Sequence, residues 1–367
     1  MSRRRRRTLL GTAAILVPVV ALAVAVKLAP FPAVPAAPGE TSILGFFHLH
    51  TTHSHDGHGT LEEAVRAARR LGGRFLVPTE HNLVKPEAPT VIEGVLVVPG
   101  VEISADAGHV VALGIGEVPE ERGPGVLQAI SEMGGMAVLA HPVNLRRPWS
   151  DPATEGFVGF EALSLDSAFR EATLAQRGRL FWPLFALAGD RRKLAALLMH
   201  RPDDALRRYD EIADERELAM LCGVDAHGLP PYLSSFAALG LHLWLDPAER
   251  EAWGRDPEAD VRTVLGAIRE ARTFCSVPAL GDASSFSLRA EEGEVVAEVA
   301  SEAATLVLFH AGREVARGRG PALRASWAPG PWRAEVFVEP GFPWGGERLW
   351  IASSARRLPL TPPREGS

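Results

Sequence analysis

Five times along this chain an apolar run ends in a histidine or a carboxylate. The stretches are Phe47-His48-Leu49-His50-Thr51-Thr52-His53-Ser54-His55-Asp56-Gly57-His58, Pro78-Thr79-Glu80-His81-Asn82, Pro99-Gly100-Val101-Glu102-Ile103-Ser104, Leu139-Ala140-His141-Pro142 and Gly223-Val224-Asp225-Ala226-His227-Gly228. Chemistry that returns at the end of one run after another is the layout of a barrel whose strands deliver ligands at their C-terminal ends.

The first stretch is the densest. Five of the twelve histidines fall between His48 and His58. Ile43 to Phe47 reads as a short apolar strand, and alternation along it would send His48 and His50 to one side. A His-x-His pair leaving a strand end suits a metal site, because neutral imidazole binds zinc, iron or manganese and a nearby carboxylate neutralises charge. The bland alternative is a solvated, histidine-rich loop. His53 and His58 read as facing solvent or standing behind the ligands, and His200, His242 and His310 match no motif and read as structural or exposed.

The intervals between the stretches alternate helix and strand. Thr60-Leu61-Glu62-Glu63 fits a capping box, and Leu61, Ala64, Val65, Ala68 and Leu71 keep helical spacing up to Gly72-Gly73. Arg74 to Val77 is a strand leading to Glu80 and His81, and Gly94 to Val98 one leading to Glu102. A helix over 126–133 precedes a strand over 136–140 and His141. Phe160 to Leu165 is a further strand. Leu218 to Val224 leads into Asp225 and His227, and a helix over 259–272 precedes a last strand over 274–277. This order predicts a parallel sheet closed into an irregular α/β barrel over residues 41–282. Residues 166–217 lack the strand rhythm and read as a helical insertion, with Trp182 and its neighbours packing as core or covering the barrel mouth.

Beyond residue 283 the texture changes to short runs with partial alternation, separated by Gly, Pro and Glu. These predict a small antiparallel β-sandwich to residue 360, a structural or substrate-positioning appendage, followed by a disordered tail over 361–367. At the other end, Arg3 to Arg7 precede an uncharged span from Thr8 to Val26. The first 29 residues thus predict a retained signal anchor with the remainder extracytoplasmic, or else a cleaved signal peptide. Prolines 30, 32, 35 and 38 make residues 30–40 an extended linker.

Charge excludes one class of partner. The leader holds six basic and no acidic residues, so the rest carries 33 basic against 45 acidic, a net of −12. Specific nucleic-acid binding is not expected of such a surface. Cys222 and Cys275 cannot build a disulfide framework and read as buried thiols.

Taken together, the five stretches resemble the PHP (polymerase and histidinol phosphatase) family of metal-dependent phosphoesterases over roughly residues 43–280. Two departures are visible: Glu80 stands where that family usually has aspartate, and a long helical stretch precedes Asp225. The resemblance implies a (βα)7-type barrel holding roughly two or three divalent ions of zinc, manganese or iron. It implies that His48, His50 and Asp225 serve one ion, that His109 and His141 serve a second, and that Glu102 bridges. His81 and His227 would serve a third with Asp56 or His55; Gly57 suits a turn that aims Asp56 inward. The implied reaction is hydrolysis of a small phosphorylated substrate, mono- or diester, by hydroxide activated between the ions. Glu102, Asp225 and His227 would carry that chemistry, and Arg146 would hold the substrate phosphate. The same ions could act on a carboxylic ester, amide or carbamate. A non-catalytic envelope-recognition module is the reading of a different class.

Overall fold

The computed structural model describes residues 14, 16–21, 24–25, 38–85, 90–175, 197–339 and 346–359. From residue 42 the chain runs β1 (Ser42–Leu49), α1 (Leu61–Arg70), β2 (Phe75–His81), β3 (Thr90–Ile92), β4 (Val95–Val97), β5 (Gly100–Ala105), β6 (Gly108–Leu113), α2 (Val126–Glu132), β7 (Met136–Leu139), β8 (Gly159–Ser164) and α3 (Leu165–Arg170). It continues through α4 (Asp203–Glu215), β9 (Ala219–Ala226), α5 (Tyr232–Ala238), β10 (Gly240–Trp244), α6 (Pro247–Ala252), α7 (Pro257–Arg269) and β11 (Thr273–Ser276). The last strands are β12 (Ser287–Glu291), β13 (Glu294–Glu298), β14 (Thr305–His310), β15 (Arg313–Arg319), β16 (Ala322–Ser326), β17 (Pro331–Val338), β18 (Arg348–Ser353) and β19 (Arg356–Arg357).

Seven strands close a barrel in the order β1-β9-β8-β7-β6-β5-β2, with β2 returning to β1. Its walls are nearly continuous apolar sequence because both faces are covered. Phe46, Phe47, Phe75, Leu76, Val110, Val111 and Leu221 are fully buried. α1 lies outside β2 and starts as its sequence requires. The Thr60 hydroxyl accepts from the Glu63 amide, the Glu63 carboxylate accepts from the Thr60 amide, and Ala64, Val65 and Ala68 are buried.

The barrel departs from the expected one in three ways. First, β6 runs antiparallel to both β5 and β7. β5 and β6 form a tight hairpin with Ser104 opposite His109, so the start of β6 lies at the same barrel end as the finish of β5. Second, the 94–98 run does not deliver Glu102. It becomes β4, which pairs with the first half of β2, while Glu102 sits inside the separate strand β5, opposite His81. Pro99 divides the two, since it has no N–H to continue a ladder. Third, strand and helix do not alternate strictly: β3 and β4 fill the β2-to-β5 link where a helix was expected.

β1 is also a fork. Ser42 to Gly45 pair with β10, antiparallel, and Phe47 and Leu49 pair with β9, parallel. Through β10 the sheet runs on to β11, β18, β17, β14 and β15. The strands expected as a separate sandwich therefore split into a three-stranded sheet, β12-β13-β16, and a layer that continues the barrel sheet through β11 and β18. Both cysteines are free and buried.

Most of the expected leader, most of the proline-rich linker, Trp182 and the tail over 361–367 lie outside the described residues. Residues 14, 16–21 and 24–25 are helical, with Leu16, Val17, Val19, Val20 and Val24 exposed. Among the described residues, no helix is long and apolar enough to cross a membrane.

Candidate metal centre

The strand ends at one mouth of the barrel bring six imidazoles and three carboxylates into one cluster. β1 supplies His48, with His50 just beyond it. β2 supplies His81, β5 Glu102 and β6 His109, and His141 follows β7. β9 supplies Asp225, followed by His227. Asp56 comes from the loop after β1.

Three of these residues adopt left-handed backbone, which costs energy in anything but glycine: His48 at φ 64°, His141 at φ 32° and Asp225 at φ 48°. The pairing register of β1 slips between Phe47 and Leu49 on both sides. His48 sits in that irregularity, so a bulge, and not simple alternation, turns it toward the cluster.

Four groups of ligand atoms can be distinguished: His48, His50 and Glu102; His48, His141 and Asp225; Glu102, His109 and His141; and His50, Asp56, His81 and His227. Glu102 and the histidines link them into one centre. Asp225 Oδ1 lies 3.5 Å from His48 Nε2 and 3.2 Å from His50 Nε2. Glu102 Oε1 lies 3.4 Å from His48 Nε2 and 3.2 Å from His141 Nε2, and Glu102 Oε2 lies 3.3 Å from His50 Nε2. Asp56 Oδ2 lies 3.1 Å from His81 Nε2 and 3.3 Å from His227 Nε2. Donor atoms around a shared ion at about 2.1 Å stand about 3.0–3.4 Å from one another, and these spacings match. Buried His48 Nε2, His50 Nε2, His81 Nδ1, His141 Nδ1, Asp56 Oδ1 and Glu102 Oε2 make no hydrogen bond among the described residues. Buried polar atoms are almost always satisfied, so this concentration fits divalent cations bound by mixed nitrogen and oxygen donors.

The titration behaviour agrees. Burial disfavours the charged form of His48, yet Glu161, Glu102 and Asp225 outweigh it and raise the imidazole well above its ordinary value. His50 is likewise opposed by burial and raised to about 9 by the neighbouring Asp225 and Glu102 carboxylates. His141 is raised for the same reasons. Burial would raise Glu102 and Asp225, but the surrounding imidazoles hold both carboxyls below the usual range. Without cations, protons supply the positive charge this cluster requires.

The supports are equally specific. His48 Nδ1 donates to Glu161 Oε1 at 2.7 Å, and the His141 amide donates to Glu161 Oε2 at 2.7 Å. His50 Nδ1 lies 3.3 Å from Ser54 Oγ, and His227 Nδ1 donates to the Asp225 carbonyl at 3.0 Å. For His48, His50 and His227 the Nδ1 contact turns the other ring nitrogen toward the cluster. Glu80 is buried but takes no place among the ligands. Its carboxylate accepts from the Thr51 amide and hydroxyl and from the Ser54 hydroxyl, and so fixes the loop between His50 and Asp56.

Of the residues expected here, His48, His50, Asp56, His81, Glu102, His109, His141, Asp225 and His227 come together. His55 does not: its side chain is 79% exposed, whereas its neighbour Asp56 turns inward. Gly57 makes that turn possible, since a Cβ there would fall 1.8 Å from the Thr51 carbonyl oxygen. Arg146 lines the adjoining cleft of about 430 Å³ together with Asn144, Arg147 and Arg170. Arg147 is nearer the cluster, donating to His109 Nε2 at 3.0 Å. Sequence reading missed Glu161, Asn144 and Arg147. The signal for Glu161 was available, because it is the lone charge in the strand Gly159-Phe160-Glu161-Ala162-Leu163-Ser164.

Fold and site define an α/β protein with a closed seven-stranded barrel and a candidate multinuclear His/Asp/Glu centre at one mouth. The chain matches no family model and no curated protein.

Proposed function

We propose that the protein is a metal-dependent phosphoesterase, a PHP-type hydrolase on a variant of the (βα)7 barrel. The observation that carries this reading is the junction of the His/carboxylate cluster with a cleft lined by Arg146, Arg147 and Arg170. Asp56, Glu102, Asp225 and Glu161 bring four negative charges to the cluster, no more than two or three divalent ions would bring positive. Asp166 in the cleft offsets Arg170, and with Arg146 and Arg147 added the loaded cleft is cationic and selects an anion, as a phosphoester is. Bound divalent cations would lower the pKa of water and polarise a phosphoryl oxygen.

The chain's own residues do the rest. Arg146 and Arg147 hold the non-bridging oxygens and orient phosphorus toward the cluster. Asn144 fixes both by accepting the Arg146 amide at 2.9 Å and the Arg147 amide at 3.4 Å. A cluster imidazole left free of the ions would hand a proton to the departing oxygen. The arginine run and apolar span at the N-terminus support a membrane-anchored enzyme with its barrel extracytoplasmic.

The test is turnover of 4-nitrophenyl phosphate, bis(4-nitrophenyl) phosphate and 4-nitrophenyl acetate by the full chain, with metal content measured on the same sample and on His141→Ala. The expected result is phosphoester hydrolysis that needs added manganese or zinc, with less metal and less activity in the variant. Hydrolysis of the acetate alone would move the assignment to acyl chemistry. A loaded protein inert to all three would make the centre a recognition module.

A further inference from the structure

We propose that a second cleft beside the metal cleft receives an apolar substituent of the phosphoester; this rests on the phosphoesterase reading above. The two clefts share His141 in their walls. The loop that follows His141 is the partition between them. Val143 and Leu145 line the second cleft, while Asn144, Arg146 and Arg147 line the first.

This division is built into the loop. Asn144 is buried, and its Nδ2 donates to Asp166 Oδ2 at 2.9 Å and to Ser167 Oγ at 3.2 Å. Pinned at that point, the loop presents apolar side chains to one cleft and cationic ones to the other. The second cleft measures about 520 Å³. Among the described residues, Ala162, Ala168, Met199 and Pro202 line it on its apolar part, and Glu171, Arg201, Asp203 and Asp204 on its polar part. Val143 and Leu145 are 38% and 55% exposed.

Val143 and Leu145, left open to water on the apolar part of a mixed lining and next to an anion-holding cleft, suit an amphiphilic ligand. The phosphoryl group lies against the arginines and the cluster, and the alkyl or aryl part of the ester crosses His141 into the second cleft. Burial of that part then separates apolar phosphoesters from short or strongly polar ones, because each buried methylene adds a similar increment of binding.

The experiment is calorimetric titration of the manganese-loaded full chain with alkylphosphonates from methyl to octyl, which cannot be hydrolysed. Affinity is expected to rise about threefold per added methylene until the cleft is filled. Leu145→Asn should flatten that rise and leave methylphosphonate affinity unchanged, because it removes apolar surface without adding charge. Leu145 is more than half exposed, so its replacement leaves the core intact. A flat series in the unaltered protein, with methylphosphonate bound, overturns the subsite and leaves the phosphoesterase reading standing. A rise equally steep in Leu145→Asn overturns the subsite's location. Failure to bind methylphosphonate at all, with no turnover of 4-nitrophenyl phosphate, overturns both readings.

Discussion

His48 donates its Nδ1–H to Glu161 across 2.7 Å, and both side chains are fully buried. The carboxylate fixes the ring and leaves Nε2 facing Glu102 and Asp225. The other oxygen of Glu161 holds the backbone of His141, so one residue aims two of the candidate ligands. Replacing Glu161 by Gln keeps the volume but removes the charge. Metal affinity should fall about 10–100-fold, measured by competition with a chromogenic chelator. Unchanged affinity would reduce Glu161 to a packing residue.

Glu161 depends in turn on a missing side chain. A Cβ on Gly223 would lie 2.4 Å from the Glu161 carboxyl group, and any shift of that carboxylate would stretch its bonds to His48 and to the His141 amide. Gly223→Ala should cost about 1–3 kcal/mol in stability and should also weaken metal binding, although residue 223 touches no ion. Thermal melts and elemental analysis on one preparation check both. A fully loaded, fully stable variant would refute this contact.

Arg147 separates substrate binding from metal binding. Arg147→Met should lower kcat/KM for a phosphoester about 10–100-fold, the range for one charge-assisted hydrogen bond, with metal content unchanged. Arg147→Lys should recover only part, because lysine lacks the planar fork. Loss of metal in Arg147→Met would mean that the guanidinium supports His109 and not the substrate.

His242 gives a pH signature remote from the centre. It is buried on β10, stacked on Phe274 at 4.4 Å, with Ser42 Oγ at 3.1 Å and Ser276 Oγ at 3.0 Å. Burial pushes its imidazole down from an ordinary 6.5 to about 3. In that window the unfolded chain binds the proton and the folded chain does not. The contribution is therefore complete above pH 6.5 and is lost as pH falls toward 3, at about 1.4 kcal/mol per unit. His242→Phe should be less stable than the parent at pH 7 and close the gap by pH 4. Parallel stability curves would show that His242 accepts a proton in place.

The site was easier to read from sequence than the scaffold, for a physical reason. Ligands must stand at strand ends, and an apolar run that stops at His or Asp announces one. The path between ligands carries weaker signals. His109 belongs to a strand that runs backward, and apolar content does not record direction. His48 reaches the cluster through a bulge, invisible to a two-residue period. β15 carries little signal of its own, because Arg313–Arg319 is an edge strand with largely exposed, charged side chains, so no buried face imposes a pattern on it. Glu161 stands out as the lone charge of an apolar strand, but that signal does not say that its role is to hold a ring and a backbone amide.

The continuous sheet has a consequence for synthesis. Every barrel strand and candidate ligand has been made once His227 leaves the ribosome. The outer side of β11 meets its partner only when β18 arrives, after all but the last of the C-terminal strands. Through that interval a buried strand of the finished protein presents an open row of amides and carbonyls, the kind of edge that recruits foreign strands. A chain stopped before residue 348 would carry every candidate ligand and an unfinished seam, and its failure would be aggregation.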